Sequence, residues 1–215
     1  MPNWCNTHIT FYSENKETVV DLQSKLTQYT AVPCNGCKDA NWIGNILLSA
    51  GIGTLEEIKT DKYGYCRGWV DDIGDVEQSD GYYSFFVTVQ DAWAPHTEPF
   101  YHLFSKLYAN EVKMAYVGEE PGCEVYIKYD PDNLFYADCE YVVDSYFPDA
   151  DSAAQYADIA DMDGLQTLDG LCEAFHTENL QEIIDKADEI TDTLQDTYGD
   201  GFVYVHEYEV LDNPF

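Results

Sequence analysis

Cys34-Asn35-Gly36-Cys37 has the spacing of half a zinc knuckle, with glycine at the third place, where the turn needs it. Structural zinc takes four ligands, usually from two such pairs. No second CxxC or CxxH is present, and Cys5 and Cys66 are only candidates to complete a set. A redox CxxC of the thioredoxin type requires a strand before it and a helix directly after, whereas these residues lie in a loop-like stretch. The reading is reduced, structural cysteines, with no cofactor. Asp161-Met162-Asp163-Gly164 resembles the middle of a calcium loop. In that register Ile159 takes the first ligand place and Gly170 the final glutamate place, so an EF-hand is rejected. His96, His102, His176 and His206 lack HExxH spacing, and Gly51-Ile52-Gly53 lacks the third glycine of a dinucleotide fingerprint. Paired carboxylates are too abundant to single out a hydrolase dyad. No catalytic residue is assigned, and the chain is read as leaning away from an enzyme.

Charge carries more. From Glu119 to Phe215 there are 26 Asp and Glu against two cations, Lys128 and Lys186, a net of −24 out of −31 for the whole chain. Such a surface opposes compaction, repels nucleic acid and attracts basic proteins. The sharpest concentration is a helix expected over 178–198. At 100° per residue, Glu178, Glu182, Asp185, Glu189, Asp192 and Asp196 fall in an arc of roughly 80° and span roughly 27 Å. Leu180, Ile183, Ile184, Ala187, Ile190, Leu194 and Tyr198 lie opposite. Solvated helix faces usually interleave Lys with Glu at four-residue spacing, because like charges cost a few tenths of a kcal/mol per pair. Asp192 and Asp196 also sit at the negative end of the helix dipole. Two readings fit: a functional field that mimics nucleic-acid charge toward a basic, nucleic-acid-binding protein, or a merely acidic surface. The rival class is an enzyme or small-ligand binder with a pocket near Trp4, Trp69 and Trp93.

The elements that position these residues follow from periodicity. Residues 4–12 read as a strand, with Ser13 as N-cap to a helix bearing Val19, Leu22, Leu26 and Tyr29. Residues 31–66 read as an irregular insertion. A hairpin is expected from 68–77 and 82–90 across Ser79-Asp80-Gly81, then a helix over 98–109 and a strand over 112–117. That order is the split βαβ, or ferredoxin-like, pattern. Further strands are expected at 123–129, 134–143 and 202–210, with helical stretches near 150–160, 165–175 and 178–198. The fold class is therefore α+β: a ferredoxin-like unit over 1–122, and an acidic α/β extension over 123–215 packed with it as one body.

Pro2-Asn3-Trp4-Cys5-Asn6, Asp91-Ala92-Trp93-Ala94-Pro95 and Glu119-Glu120-Pro121-Gly122 occur in an order and spacing that resembles the YubB or Api-type ferredoxin-like family of phage and plasmid proteins. The likeness covers roughly residues 1 to 130. It implies the fold and a mobile-element context but no activity, and the Cys34–Cys37 insertion and acidic C-terminal part depart from it. Acidic flanks around Tyr141, Tyr146, Tyr204 and Tyr208 suit either an interface or half-buried strand positions. Absence of a signal peptide or an apolar span, together with an odd cysteine count, leads to the expectation of a soluble cytoplasmic protein.

Overall fold

The computed structural model of the chain describes residues 3–109, 111–137, 140–162 and 165–212. They form two compact units: residues to Pro131 with the stretch from Val210, and Asp132–Glu209. Among the described residues no helix is long and apolar enough to cross a membrane.

The first unit contains β1 (Trp4–Ser13), α1 (Lys16–Tyr29), α2 (Ile43–Ser49), α3 (Leu55–Lys59), β2 (Gly68–Ile73), β3 (Glu77–Ser79), β4 (Tyr82–Ala92), α4 (Glu98–Tyr108), β5 (Lys113–Glu120) and β6 (Val125–Tyr129). Strand order is β6-β5-β1-β4-β2, with β3 also on β4 and the two-residue strand Glu209–Val210 on β6. β1 pairs antiparallel with β4 on one side and β5 on the other, so its alternation fixes both registers. Ile9 sits between Val87 and Tyr116, and Phe11 between Phe85 and Met114. These side chains share one sheet face with Val19, Leu22 and Leu26 of α1 and Phe100, Leu103 and Phe104 of α4, all buried. The Phe11 ring lies 5.5 to 6.2 Å from those of Phe85, Phe100 and Phe104.

The second unit contains β7 (Tyr141–Tyr146), α5 (Ala150–Gln155), α6 (Ala157–Ala160), β8 (Leu165–Gln166), α7 (Leu168–Phe175), α8 (Leu180–Tyr198) and β9 (Phe202–Glu207). Its sheet runs β8-β7-β9, all antiparallel. Ile183, Ala187, Ile190 and Leu194 of α8 pack with Leu171, Phe175 and Val203. Counted over Asp132–Glu209, the sequence has 21 Asp and Glu against one Lys, a net of −20.

The α+β class is as expected, and several boundaries differ. Asn15, not Ser13, caps α1, because its side chain accepts the Glu17 N–H (3.0 Å) while Ser13 still belongs to β1. The insertion at 31–66 holds two helices. The second opens on a Thr54–Glu57 capping box that was readable in the sequence. The strand expected at 68–77 is split, with a register shift between Val70 and Asp72. The unit boundary falls after Pro131 instead of Gly122, because β6 pairs with β5. The strand expected at 134–143 begins only at Tyr141. Residues 131–137 form turns with Asn133 at positive φ, and Asp138 and Cys139 lie outside the described residues. Tyr156 divides the helix expected at 150–160. Thr167 caps α7 after a two-residue strand.

The insertion is organised by Asn45, which is fully buried. Its oxygen accepts the Cys34 N–H (2.6 Å), and its amide donates to the carbonyls of Tyr29 (2.9 Å), Ala40 (2.7 Å) and Val32 (3.3 Å). Asn45→Ala strands those groups, each of which costs about 1 kcal/mol or more when left unpaired. Urea unfolding of this variant is expected to show a loss of about 2–4 kcal/mol.

Candidate functional site

Helix α8 starts where the Asn179 side chain accepts the Glu182 N–H (3.1 Å). The Glu182 carboxylate accepts the Glu178 N–H (3.2 Å). Glu178 therefore precedes the helix instead of riding on it, which corrects the six-member stripe. Glu182 stands in the first turn, where the unpaired amide N–H groups favour an anion. Local structure accounts for those two acids. It does not account for Glu189, Asp192 and Asp196, which with Asp185 run along roughly 16 Å of helix. All six residues are exposed, as is Asp188 beside them, an acid that falls about 40° outside the sequence-derived arc. Gln181 donates to Asp185 (2.8 Å), and among the described residues no cation pairs with any of the six. The inward face is also slightly rotated from expectation. Thr191 is buried, while Ile184 and Tyr198 are 37% and 39% exposed. The Thr191 hydroxyl donates to the Val203 carbonyl (3.1 Å) and accepts its N–H (2.9 Å), fastening α8 to β9.

Lys186, the single cation of α8, is turned away from the stripe. Its ammonium donates to the carbonyls of Phe175 (2.6 Å) and His176 (3.4 Å). These close α7, whose last carbonyls have no helical partners. Between α6, α7 and α8 lies a cleft of about 320 Å³ with Ile159, Phe175 and Ile190 in its walls and Asp158, His176 and Glu189 among its polar groups. His176 and Asp158 approach to 3.6 Å but are about 70% exposed, so their attraction contributes little.

In the first unit the three sequence motifs meet at one end of the sheet; Pro2 lies outside the described residues. Register places Cys5 beside Asp91 and Asn6 beside Glu119. The Trp93 N–H donates to the Asn3 carbonyl (3.0 Å), and the Asn3 amide to the Cys123 thiol (3.3 Å). A Cβ on Gly118 would come 2.1 Å from Pro95, so glycine is required there. Asp91 has no exposure. Its Oδ2 accepts from the Thr7 hydroxyl (2.9 Å) and the His96 N–H (3.1 Å), and its Oδ1 has no partner. Burial pushes this carboxyl up to about 7. Burial, then Asp91 and the neighbouring glutamates, pushes the Cys5 thiol up to about 12. The group is thus a joint between β1, β4 and the turn into α4, with an unreactive thiol beside it.

Trp4 and Trp69 pack edge to face at 5.7 Å, and Trp93 sits at φ 77 with half its surface exposed. Trp69 also lines a cleft of about 280 Å³ with Trp42, Cys37, Lys38, Asp39, Leu55 and Lys59. Cys34 and Cys37 are half-buried free thiols, and among the described residues no group of three or more metal-ligating side chains forms. Of the calcium-like segment, Asp163 and Gly164 lie outside the described residues. Tyr141 and Tyr208 are buried. Tyr146 and Tyr204 are exposed in a row with Phe202, ring distances 6.2 and 5.2 Å.

Compared with models of known protein families, with curated proteins and with solved structures, the chain matches none.

Two outcomes follow from this geometry. The native Asp91 carboxyl holds its proton up to about pH 7, whereas the unfolded chain releases it near 3.8. Its contribution to stability is therefore full below pH 4, falls as pH rises between 4 and 7, and stays lost above. The gap corresponds to a few kcal/mol at about 1.4 per pH unit. Asp91→Asn is expected to match the wild type at pH 4 and exceed it in urea unfolding at pH 8. Lys186→Met keeps the aliphatic stem and removes the charge. It should lower stability by about 1 kcal/mol, read from the unfolding of the acidic unit.

Proposed function

We propose that the chain is a non-enzymatic interaction protein whose acidic unit engages a basic, nucleic-acid-binding protein, placing carboxylates where that partner otherwise meets phosphates. One observation carries this reading. The carboxylates of Glu189, Asp192 and Asp196 are exposed and have no hydrogen-bond or ion-pair partner among the described residues, Asp185 is engaged only by Gln181, and the helix's only lysine is turned to α7. An acidic face serving stability alone would use Lys186 to screen its neighbours. The spacing, about 5 Å per charge, is of the order of the ~3.4 Å between phosphates of one DNA strand. Placement of the first unit among ferredoxin-like proteins of the YubB or Api type, in a cytoplasmic phage or plasmid context, is part of the same proposal. Its support is the antiparallel order β5-β1-β4-β2 around α1 and α4, and the meeting of the three motifs. The alternative of an enzyme or ligand pocket near Trp4, Trp69 and Trp93 has less support, because the strongly perturbed carboxyl there, Asp91, is fully buried and holds a turn.

The test replaces Asp185, Glu189, Asp192 and Asp196 by Asn or Gln and leaves Glu182 in place at the helix start. Partners captured by the wild type from cell lysate at low salt are expected to be lost at high salt, since exposed charges are screened within about 8–10 Å. The quadruple variant should fold with equal or greater stability and bind more weakly by about 1–4 kcal/mol, at about 0.2–1 per exposed pair. Equal recovery of the same proteins by both forms would remove the stripe from the reading.

A further inference from the structure

We propose that Cys34 and Cys37 form a preorganised dithiol that closes to an intramolecular disulfide by exchange with a small anionic disulfide such as oxidised glutathione. The segment is a tight turn in which the Cys37 N–H donates to the Cys34 carbonyl (2.9 Å). Gly36 takes the left-handed conformation (φ 92) at its third position, as a type II turn requires. Such a turn brings the first and fourth Cα atoms within about 7 Å, and disulfides span about 4.4–6.8 Å. The turn is also held from below. Asn45 accepts the Cys34 N–H and binds carbonyls on both sides of the pair, at Val32 and Ala40. Much of the entropy of bringing the sulfurs together is therefore lost already in the reduced fold, which raises the effective concentration of one thiol toward the other.

Access and charge select the co-reactant. Both thiols are partly exposed, whereas Cys5 and Cys66 are buried. Cys37 lines the cleft of about 280 Å³ that has Trp42 and Trp69 in its walls and Lys38, Lys59 and Asp39 among its charged groups. In a chain of net charge −31, two lysines against the single carboxylate of Asp39 leave this cleft locally positive, a site for an anionic disulfide. The Cys34 thiol is 3.2 Å from the Ser49 hydroxyl, a neighbour that can donate a hydrogen bond to its thiolate. In the first step the Cys37 thiolate attacks one sulfur of the small disulfide and expels one thiolate. In the second, the Cys34 thiolate attacks the Cys37 sulfur of the mixed disulfide and expels the other. The two cysteines lose two electrons and two protons, and one disulfide becomes two thiols. Burial and the neighbouring Cys34 hold the Cys37 thiol above its usual range, so the first step speeds up as pH rises.

The experiment treats the folded, reduced chain with oxidised glutathione, blocks free thiols by alkylation and maps the peptides by mass. The wild type is expected to carry a Cys34–Cys37 bridge without retained glutathione. Cys34→Ser should instead retain glutathione on Cys37, because the resolving thiol is gone. At one fixed ratio of reduced to oxidised glutathione, the bridge should be more populated in the folded protein than in the same chain in urea. A stable glutathione adduct on wild-type Cys37 would overturn the proposal. So would free Cys34 and Cys37 when exposed Cys123 has reacted, or a bridge no better populated in the folded state than in urea.

Discussion

The contact between α8 and the small sheet of the second unit holds the most charged part of the chain against its own repulsion. Each buried Ile or Leu of that helix contributes about 1.5–3 kcal/mol, while each like-charge neighbour on its outer face costs a few tenths. Ile183, Ile190 and Leu194 therefore outweigh the stripe, and Thr191 adds two hydrogen bonds to Val203 that fix the helix on β9. Those bonds also occupy the backbone N–H and carbonyl of Val203, at the outer strand of the sheet. The outer face of α8 is left free to carry charge.

Dividing α8 into caps and stripe changes what the acids mean. Glu182 belongs to the helix start and Glu178 to the turn before it, so neither requires a functional explanation. Lys186 closes α7, a local gain that leaves the remaining carboxylates unscreened. The proposed partner surface is thus four residues with Asp188 beside them, not six.

In the first unit, polar side chains do the work of joining loops to strands. Asn45 gathers the insertion, and Asp91 ties β1 to the turn that leads into α4. Both are fully buried. They differ in completeness: Asn45 satisfies its oxygen and its amide, whereas Asp91 leaves one oxygen without a partner, which makes ionising it there costly. The motifs that suggested a family resemblance are at least in part the parts of such a joint.

The sequence alone determined the strands and helices whose apolar residues recur with a clear period: β1, α1, β4, α4 and α8, together with the amphipathic direction of α8. These depend on one side chain after another meeting the same face, which is written locally. It also determined the charge imbalance between the halves. Tertiary structure decided what depends on distant partners. The strand expected near 134 yielded to a turn at Asn133, and the first unit gained β6 through pairing with β5. Trp69 was placed opposite Trp42, since strand pairing sets which rings meet. The roles of Asn45, Asp91 and Lys186 were equally hidden. A buried hydrogen bond to a carbonyl many residues away leaves no periodic trace, and its donor looks in sequence like any other polar residue.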